Sequence, residues 1–232
     1  MRVTCIMPTA NRRLFIPAAI RLFRNQDYPN KELIILDDGR DPVEDLVPND
    51  LELRYIRELP SRLTLGAKRN IACDLASGDV ILHWDDDDWY APWRISYQIQ
   101  SMEKNGLDLC GLNRAYFVDA AARTAWEYTQ ISRGTRWLCG ATLGYRKEFW
   151  RHHPFANIRV SEDNRFIAQS RTGNLASLED NRFFVCRIHS RNTCTKRPRG
   201  RFWPERPFSL IQSLIGQDWD RNFGGDEGLP RD

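Results

Sequence analysis

Four consecutive carboxylates, Asp85 to Asp88, follow directly on the apolar run Val80 to Trp84. Two like charges about 4 Å apart repel by roughly 4 kcal/mol at an effective dielectric near 20, so such a run at the end of a buried strand calls for a counter-charge. A divalent cation would supply it. Mg2+ and Mn2+ are held by one or two protein carboxylates, with phosphate oxygens and water completing the shell, and an Asp-x-Asp facing a diphosphate meets that demand. A solvated acidic turn is the alternative; the strand-end position and the flanking aromatics Trp84, Trp89 and Tyr90 favour the metal and diphosphate. Asp37 and Asp38 close a second apolar run, Leu33 to Leu36. Gly66-Ala67-Lys68-Arg69-Asn70 opens a helix, where free N–H groups and the dipole suit an anion and two cations would help hold one. It reads equally as an ordinary first turn with solvated basic side chains. There is no G-x-G-x-x-G and no G-x-x-x-x-G-K-[ST], so phosphates must be held by metal and basic groups.

These residues need a scaffold that brings strand ends together. Val3 to Met7 reads as a first strand with Pro8 to Arg12 as its exit loop, and Phe15, Ala18, Ala19, Leu22 and Phe23 follow at helical spacing. Leu33 to Leu36 is apolar without alternation, as a strand covered on both faces should be. Leu51 to Ile56 alternates and reads as a strand nearer the sheet edge; Gly66 to Leu75 reads as a helix, Val80 to Trp84 as a strand, and Trp93 to Met102 as a helix opened by Pro92. Strand, polar loop and helix recur, which predicts an α/β fold with a mostly parallel sheet. In such sheets ligands bind outside the carboxyl ends of the strands, where the acids cluster. Beyond Gly106 the pattern predicts shorter strands at Leu107 to Leu112, Ala115 to Val118, Ala125 to Tyr128, Asn174 to Leu178 and Phe183 to Ile188. Helices are expected near Arg146 to Arg151 and Ser161 to Thr172, and a short amphipathic one carrying Phe208, Ile211, Leu214 and Ile215 before an acidic, glycine-containing end.

A length of 232 residues favours one domain, and a net charge of +3 with 41% hydrophobic residues excludes a disordered chain and a generic polycation. No apolar stretch is long enough for a bilayer-spanning helix, and Met1-Arg2-Val3-Thr4 enters a strand pattern at once, so a soluble, cytoplasmic protein is expected. The six cysteines form no C-x-x-C pair and lie mostly in apolar segments, which suggests buried thiols rather than disulfides or a zinc site.

Four pieces in order then resemble the GT-A glycosyltransferases of family 2: Pro8 to Arg12; Gln26 to Pro29 before Glu32 to Gly39; Gly66 to Asn70 with Ala76 to Asp79; and His83 to Pro92. The resemblance covers residues 1 to 105 well and the rest more loosely. It implies a GT-A, Rossmann-like single domain over 1–195, with a nucleotide-sugar half (1–105), an acceptor half (106–195) and a basic, aromatic extension (196–232). It also implies a nucleoside-diphosphate sugar donor, UDP favoured, with Mn2+ or Mg2+. Pro8, Thr9 and Arg12 belong to the donor loop, Thr9 with Asp37 and Asp38 near base and ribose, and Lys68 or Arg69 on the nucleotide side. Asp85 becomes the nucleotide-facing acid and Asp87 the metal ligand, while Asp86 occupies the variable position.

The family also places a carboxylate pair at a helix start behind the acceptor, and Ser161-Glu162-Asp163 resembles it. Asp163 would be the general base, taking a proton from the acceptor hydroxyl as that oxygen attacks opposite the leaving diphosphate, which implies inversion. Ser161 as N-cap with acids in the first turn is the alternative. His189 follows the last expected strand, where related enzymes bring a histidine to metal or diphosphate; a structural or solvated role is the alternative, with Arg191 instead as the phosphate contact. Trp137 to Thr142 would floor the acceptor site, with Trp137 stacking on a sugar or packing in the core. Lys196 to Trp203 reads as a lid, a contact with anionic lipid headgroups at a membrane periphery, or a loose terminus.

The implied activity is transfer of a sugar to a hydroxyl of a carbohydrate or glycoconjugate acceptor in glycan synthesis. A non-catalytic carbohydrate-binding module and a sugar nucleotidyltransferase are the competing readings. Pro8 to Arg12 lacks the glycine-rich loop expected of the latter, and the low net charge argues against nucleic acid.

Overall fold

The computed structural model describes residues 1–58, 63–130, 137–169 and 173–223. The expected end of the helix at 170–172 and the acidic terminus lie outside them. The chain runs β1 (Val3–Thr9), α1 (Ile16–Arg24), β2 (Lys31–Asp37), β3 (Leu53–Arg57), α2 (Leu65–Leu75), β4 (Val80–His83), β5 (Trp89–Tyr90) and α3 (Arg94–Asn105). It continues through β6 (Leu109–Gly111), β7 (Arg114–Asp119), β8 (Thr124–Thr129), β9 (Gly144–Arg146), α4 (Lys147–His152) and α5 (Glu162–Gln169). The last elements are β10 (Leu175–Ser177), β11 (Phe184–Arg187), β12 (Glu205–Arg206), α6 (Phe208–Ile215) and α7 (Trp219–Phe223).

Seven strands form the central sheet in the order β10-β6-β9-β4-β1-β2-β3. Every pairing is parallel except those of β9, which runs antiparallel to both neighbours. Alternate residues of the strands divide between two apolar layers. Cys5, Leu33, Ile35 and Leu82 pack with Ile16 and Ala19 of α1 and Ile95 and Ile99 of α3, while Ile6, Ile34 and Ile81 pack with Ala72 and Cys73 of α2 and Phe166 of α5. β3 is the edge strand that the alternation implied, but it starts two residues later and leaves Leu51 fully exposed. All six cysteines are free; five are buried and Cys194 is exposed.

A second, five-stranded sheet, β12-β8-β7-β11-β5, stands beside the first. The chain beyond residue 195 contributes β12 to it. β12 pairs with β8, and Ile211 and Ile215 of α6 and Phe223 are buried in the core. Ile211 and Ile215 of α6 thus face the core, while Leu210 is 44% exposed. Among the described residues no helix is long and apolar enough to cross one.

Candidate active site

The carboxyl ends of β1 and β4, with the loop that follows β2, open onto a cleft of about 1180 Å³ lined by Pro8, Thr9, Arg12, Asp38, Lys68, Arg69, Asp85 to Asp88, Glu162 and Asp163. Two loops are locked together at its edge. Asn11 stands at φ 56°, and its Oδ1 accepts from the backbone N–H of Arg40 (2.7 Å) and Asp41 (3.1 Å). Asparagine tolerates this left-handed conformation because its side chain bonds locally. A Cβ at Gly39 would lie 2.4 Å from the Asn11 nitrogen, so the approach of the two loops requires glycine.

The acid run is held residue by residue. Asp86 accepts from the Thr9 hydroxyl (2.6 Å) and Arg12 Nε (2.8 Å). Asp88 accepts from the Arg187 N–H at 3.0 Å. Three donors meet at one oxygen of Asp87: Arg12 Nη2, His189 Nε2 at 3.0 Å and Asn192 Nδ2 at 3.3 Å all reach Oδ2. Asp87 Oδ1 has no such partner among the described residues. Asp85 is the open member, its side chain 33% exposed and its Oδ1 3.8 Å from Arg69.

Charge is distributed unevenly along the run. Burial raises Asp85 and Asp88 above the usual carboxylate range and pushes Asp86 up to about 7. Burial acts on Asp87 too, but the His189 hydrogen bond and the Arg12 guanidinium outweigh it and hold that carboxyl at about 2. Of the four, Asp87 is the one held below the usual carboxylate range.

Beside the run, Lys68 Nζ donates to Asp38 (2.5 Å) and to the Thr9 carbonyl (3.1 Å). Arg69 ion-pairs with the buried Glu162. The Gly66 N–H donates to the Ile158 carbonyl, and a Cβ there would stand 1.9 Å from the Ala156 oxygen, so α2 packs directly on the segment that leads into α5. Asp163 lies over Gly140, where a Cβ would stand 2.1 Å from Asp163 Oδ2.

Two residues read from the sequence as site residues do not line the cleft. Asp37 is fully buried, and its carboxylate accepts from Gly39 N–H (2.8 Å), Val43 N–H (3.2 Å) and the Tyr55 hydroxyl (2.9 Å), so it holds the loop after β2, while Asp38 faces the cleft. Successive strand residues point to opposite faces, which separates the pair. The His189 side chain is 4% exposed and does not line the cleft. Its Nδ1 accepts from the Arg191 N–H at 3.1 Å, which leaves the proton on Nε2, directed at Asp87. In this arrangement its contact on the cleft side is Asp87. Asp86, which the motif left uninformative, is among the most firmly tied of the acids. Asn192 was not singled out, and nothing in its spacing marks it.

Fold and cleft together define a mixed α/β protein of the GT-A class. The sequence model of Glycosyl transferase family 2 matches residues 4–160, and the chain belongs to that family. A similar curated protein, an uncharacterized glycosyltransferase of Haemophilus influenzae, is 29% identical over 119 residues, 49% of this chain and 47% of the relative. The chain spans less than half the length of the curated relatives it matches first. Among solved structures, S. aureus TarS 1-349 in complex with UDP aligns with a TM-score of 0.67 at 20% identity, over 81% of this chain and 61% of that one. The mannosyltransferase PcManGT from Pyrobaculum calidifontis in complex with GDP-Man and Mn2+ gives 0.64 at 20% identity, over 83% and 58%.

Proposed function

We propose that the chain is the catalytic domain of a metal-dependent, inverting glycosyltransferase that moves a sugar from a nucleoside-diphosphate sugar, UDP favoured, to a hydroxyl of a glycan acceptor. The observation that carries this reading is the convergence of all three donors on Asp87 Oδ2, which leaves Oδ1 of an ionised carboxylate for a ligand in the cleft.

Among the described residues no three His, Cys, Asp or Glu side chains are gathered around a point, so a metal cage made by protein alone is absent. The donor set instead suits Mn2+ or Mg2+ held by one or two carboxylates and by the substrate's phosphates. Asp87 and the open Asp85 would hold it, with His189 and Arg12 orienting Asp87. When bound, the cation supplies positive charge to the departing diphosphate.

The remaining work belongs to side chains of this chain. Thr9, Asp38 and Lys68 border the nucleotide side of the cleft. Asp163 takes the proton of the acceptor hydroxyl; the acceptor oxygen then bonds to the anomeric carbon while the bond to the diphosphate oxygen breaks on the opposite face. Glu162, neutralised by Arg69, positions Asp163 next to it. A test is release of nucleoside diphosphate from a panel of UDP-, GDP- and dTDP-sugars. Turnover of one class by wild type, lost in Asp87→Ala and Asp163→Asn, is expected; turnover of none in the presence of Mn2+ and mixed acceptors would contradict the reading.

A further inference from the structure

The turn Gly140–Thr142 lies beneath the proposed base, for Asp163 stands so close over Gly140 that no side chain fits there. Three consecutive carbonyls of this turn are each taken by a different buried side chain. His83 Nδ1 donates to Gly140 at 2.7 Å, Arg94 Nη2 to Ala141 at 3.2 Å and Gln98 Nε2 to Thr142 at 3.0 Å. Arg94 and Gln98 are inaccessible and do not line the cleft, whereas Gly140 and Ala141 do.

Arg94 and Gln98 belong to α3 and act as a unit: Arg94 Nε donates to Gln98 Oε1 at 2.9 Å, which directs the amide nitrogen at Thr142. The same Arg94 Nη2 that reaches Ala141 donates to the His83 carbonyl at 2.8 Å. His83 ends β4, two residues before Asp85. The Asp85 N–H in turn donates to the Tyr90 hydroxyl at 2.8 Å, and the Arg94 guanidinium carbon lies 4.2 Å from the centroid of that ring. One guanidinium nitrogen therefore joins the strand that leads into the acid run to the turn beneath the base. Arg94 forms no ion pair among the described residues, and its buried Nη1 has no hydrogen-bond partner there. The rings of Tyr90, Trp84 and Phe183, with centroids 4.2, 5.3 and 5.9 Å away, face the cation instead. A cation buried without a counter-charge is costly, and an apolar side chain would fill the space. Reaching carbonyls on two segments while also fixing Gln98 takes the several N–H groups of a guanidinium.

We propose that Arg94 and Gln98 are positioning residues for sugar transfer. By tying the Ala141 and Thr142 carbonyls to the end of β4, they set where the turn under Asp163 stands relative to Asp85 and Asp87, and so how far the acceptor hydroxyl lies from the anomeric carbon. The inference rests on the transferase reading and names what holds the donor and acceptor sides in register. Neither residue touches a substrate; both act through the turn. A displacement of about 1 Å between reacting groups costs up to about 10²-fold in rate, even when its origin is remote from the chemistry.

The test compares wild type with Gln98→Met, Arg94→Met and Arg94→Lys, using UDP-, GDP- and dTDP-glucose with Mn2+ and mixed methyl glycosides, and reads both transfer to sugar and hydrolysis by water. Gln98→Met keeps the length of the side chain and removes its hydrogen bonds. Transfer should fall about ten- to a hundredfold in Gln98→Met and Arg94→Met, and hydrolysis less, because a water molecule adjusts to a displaced base where a sugar cannot; the ratio of transfer to hydrolysis should drop about tenfold. Arg94→Lys, which keeps a donor but loses the contact with Gln98, should lie between these and wild type. Nucleoside diphosphate affinity, measured by calorimetry with Mn2+, should stay as in wild type. A merely structural role lowers the folded fraction, so transfer, hydrolysis and binding stoichiometry fall together and the ratio is unchanged. That result in Gln98→Met, the milder variant, would overturn the positioning role, even if Arg94→Met fails to fold. Absence of any turnover by wild type would instead contradict the transferase reading, and this inference with it.

Discussion

Arg69 of α2 ion-pairs with Glu162, 93 positions further along the chain, while its guanidinium also stands 3.8 Å from Asp85. One buried cation thus spans the cleft from the acid run to the residue beside the proposed base. Both Arg69 and Glu162 are nearly inaccessible, with side chains 4% and 3% exposed. Removing one partner of such a pair leaves the other charge buried and uncompensated, which costs about 3–5 kcal/mol. Glu162→Ala should lower stability by that amount in urea unfolding. A change below about 0.5 kcal/mol, the level of an ordinary surface substitution, would contradict the assignment.

Asp163→Asn preserves shape and removes the proposed base. The kcat for sugar transfer should fall by roughly 10²- to 10⁴-fold, the usual contribution of general base catalysis, while UDP affinity stays as in wild type. Loss of UDP binding in step with kcat would place Asp163 on the donor side instead.

Gly66 tests how α2 sets the acceptor side. A methyl group there meets the Ala156 carbonyl at 1.9 Å. Overpacking of this kind costs about 1–3 kcal/mol, and the segment leading to Glu162 must shift. Gly66→Ala should therefore lose both stability and transfer activity, although its own side chain contacts no substrate. Wild-type activity in this variant would refute the positioning argument.

His83 gives a pH signature. Its Nδ1–H donates to the Gly140 carbonyl at 2.7 Å and its Nε2 accepts from the Tyr145 hydroxyl at 3.2 Å. Burial, with Arg69 adding to it, holds the ring neutral with a pKa well below 6.5. The unfolded chain takes up a proton near pH 6.5 and the native state does not. Stability contributed by the neutral ring is thus complete above pH 6.5 and declines as pH falls below it, by about 1.4 kcal/mol per pH unit. Between pH 7.5 and 5.5 the unfolding free energy of wild type should fall by about 1.4 kcal/mol more in total than that of His83→Asn. Parallel slopes would show that the ring protonates in the folded state.

The first 105 residues were legible because each of their units is local. A strand, its exit loop and the next helix are contiguous, so apolar runs and helical spacing place Thr9, Asp38, Lys68 and Asp85 near one another before any pairing is known. What escaped was long-range or side-specific. Gly144 to Arg146 form a three-residue strand only because β4 and β6 flank them, and no periodicity exists over so short a run. Trp89 and Tyr90 look like flanking aromatics yet pair with β11. The C-terminal segment reads as a basic extension because its two-residue strand is defined by its partner β8. Asp37 and Asp38 are indistinguishable in type, and only the strand's last turn of pleat decides which one reaches the cleft. The sequence places His189 after β11 but does not say which ring nitrogen carries its proton, which the Arg191 N–H sets.

The most direct measurement is calorimetric titration of UDP, with and without Mn2+, into wild type and Asp87→Ala. The expected result is UDP binding by wild type that strengthens when Mn2+ is present, and loss of that metal-dependent gain in Asp87→Ala. Equal UDP binding by both proteins, unaffected by Mn2+, would show that the open oxygen of Asp87 holds no cation and would contradict the proposed donor site.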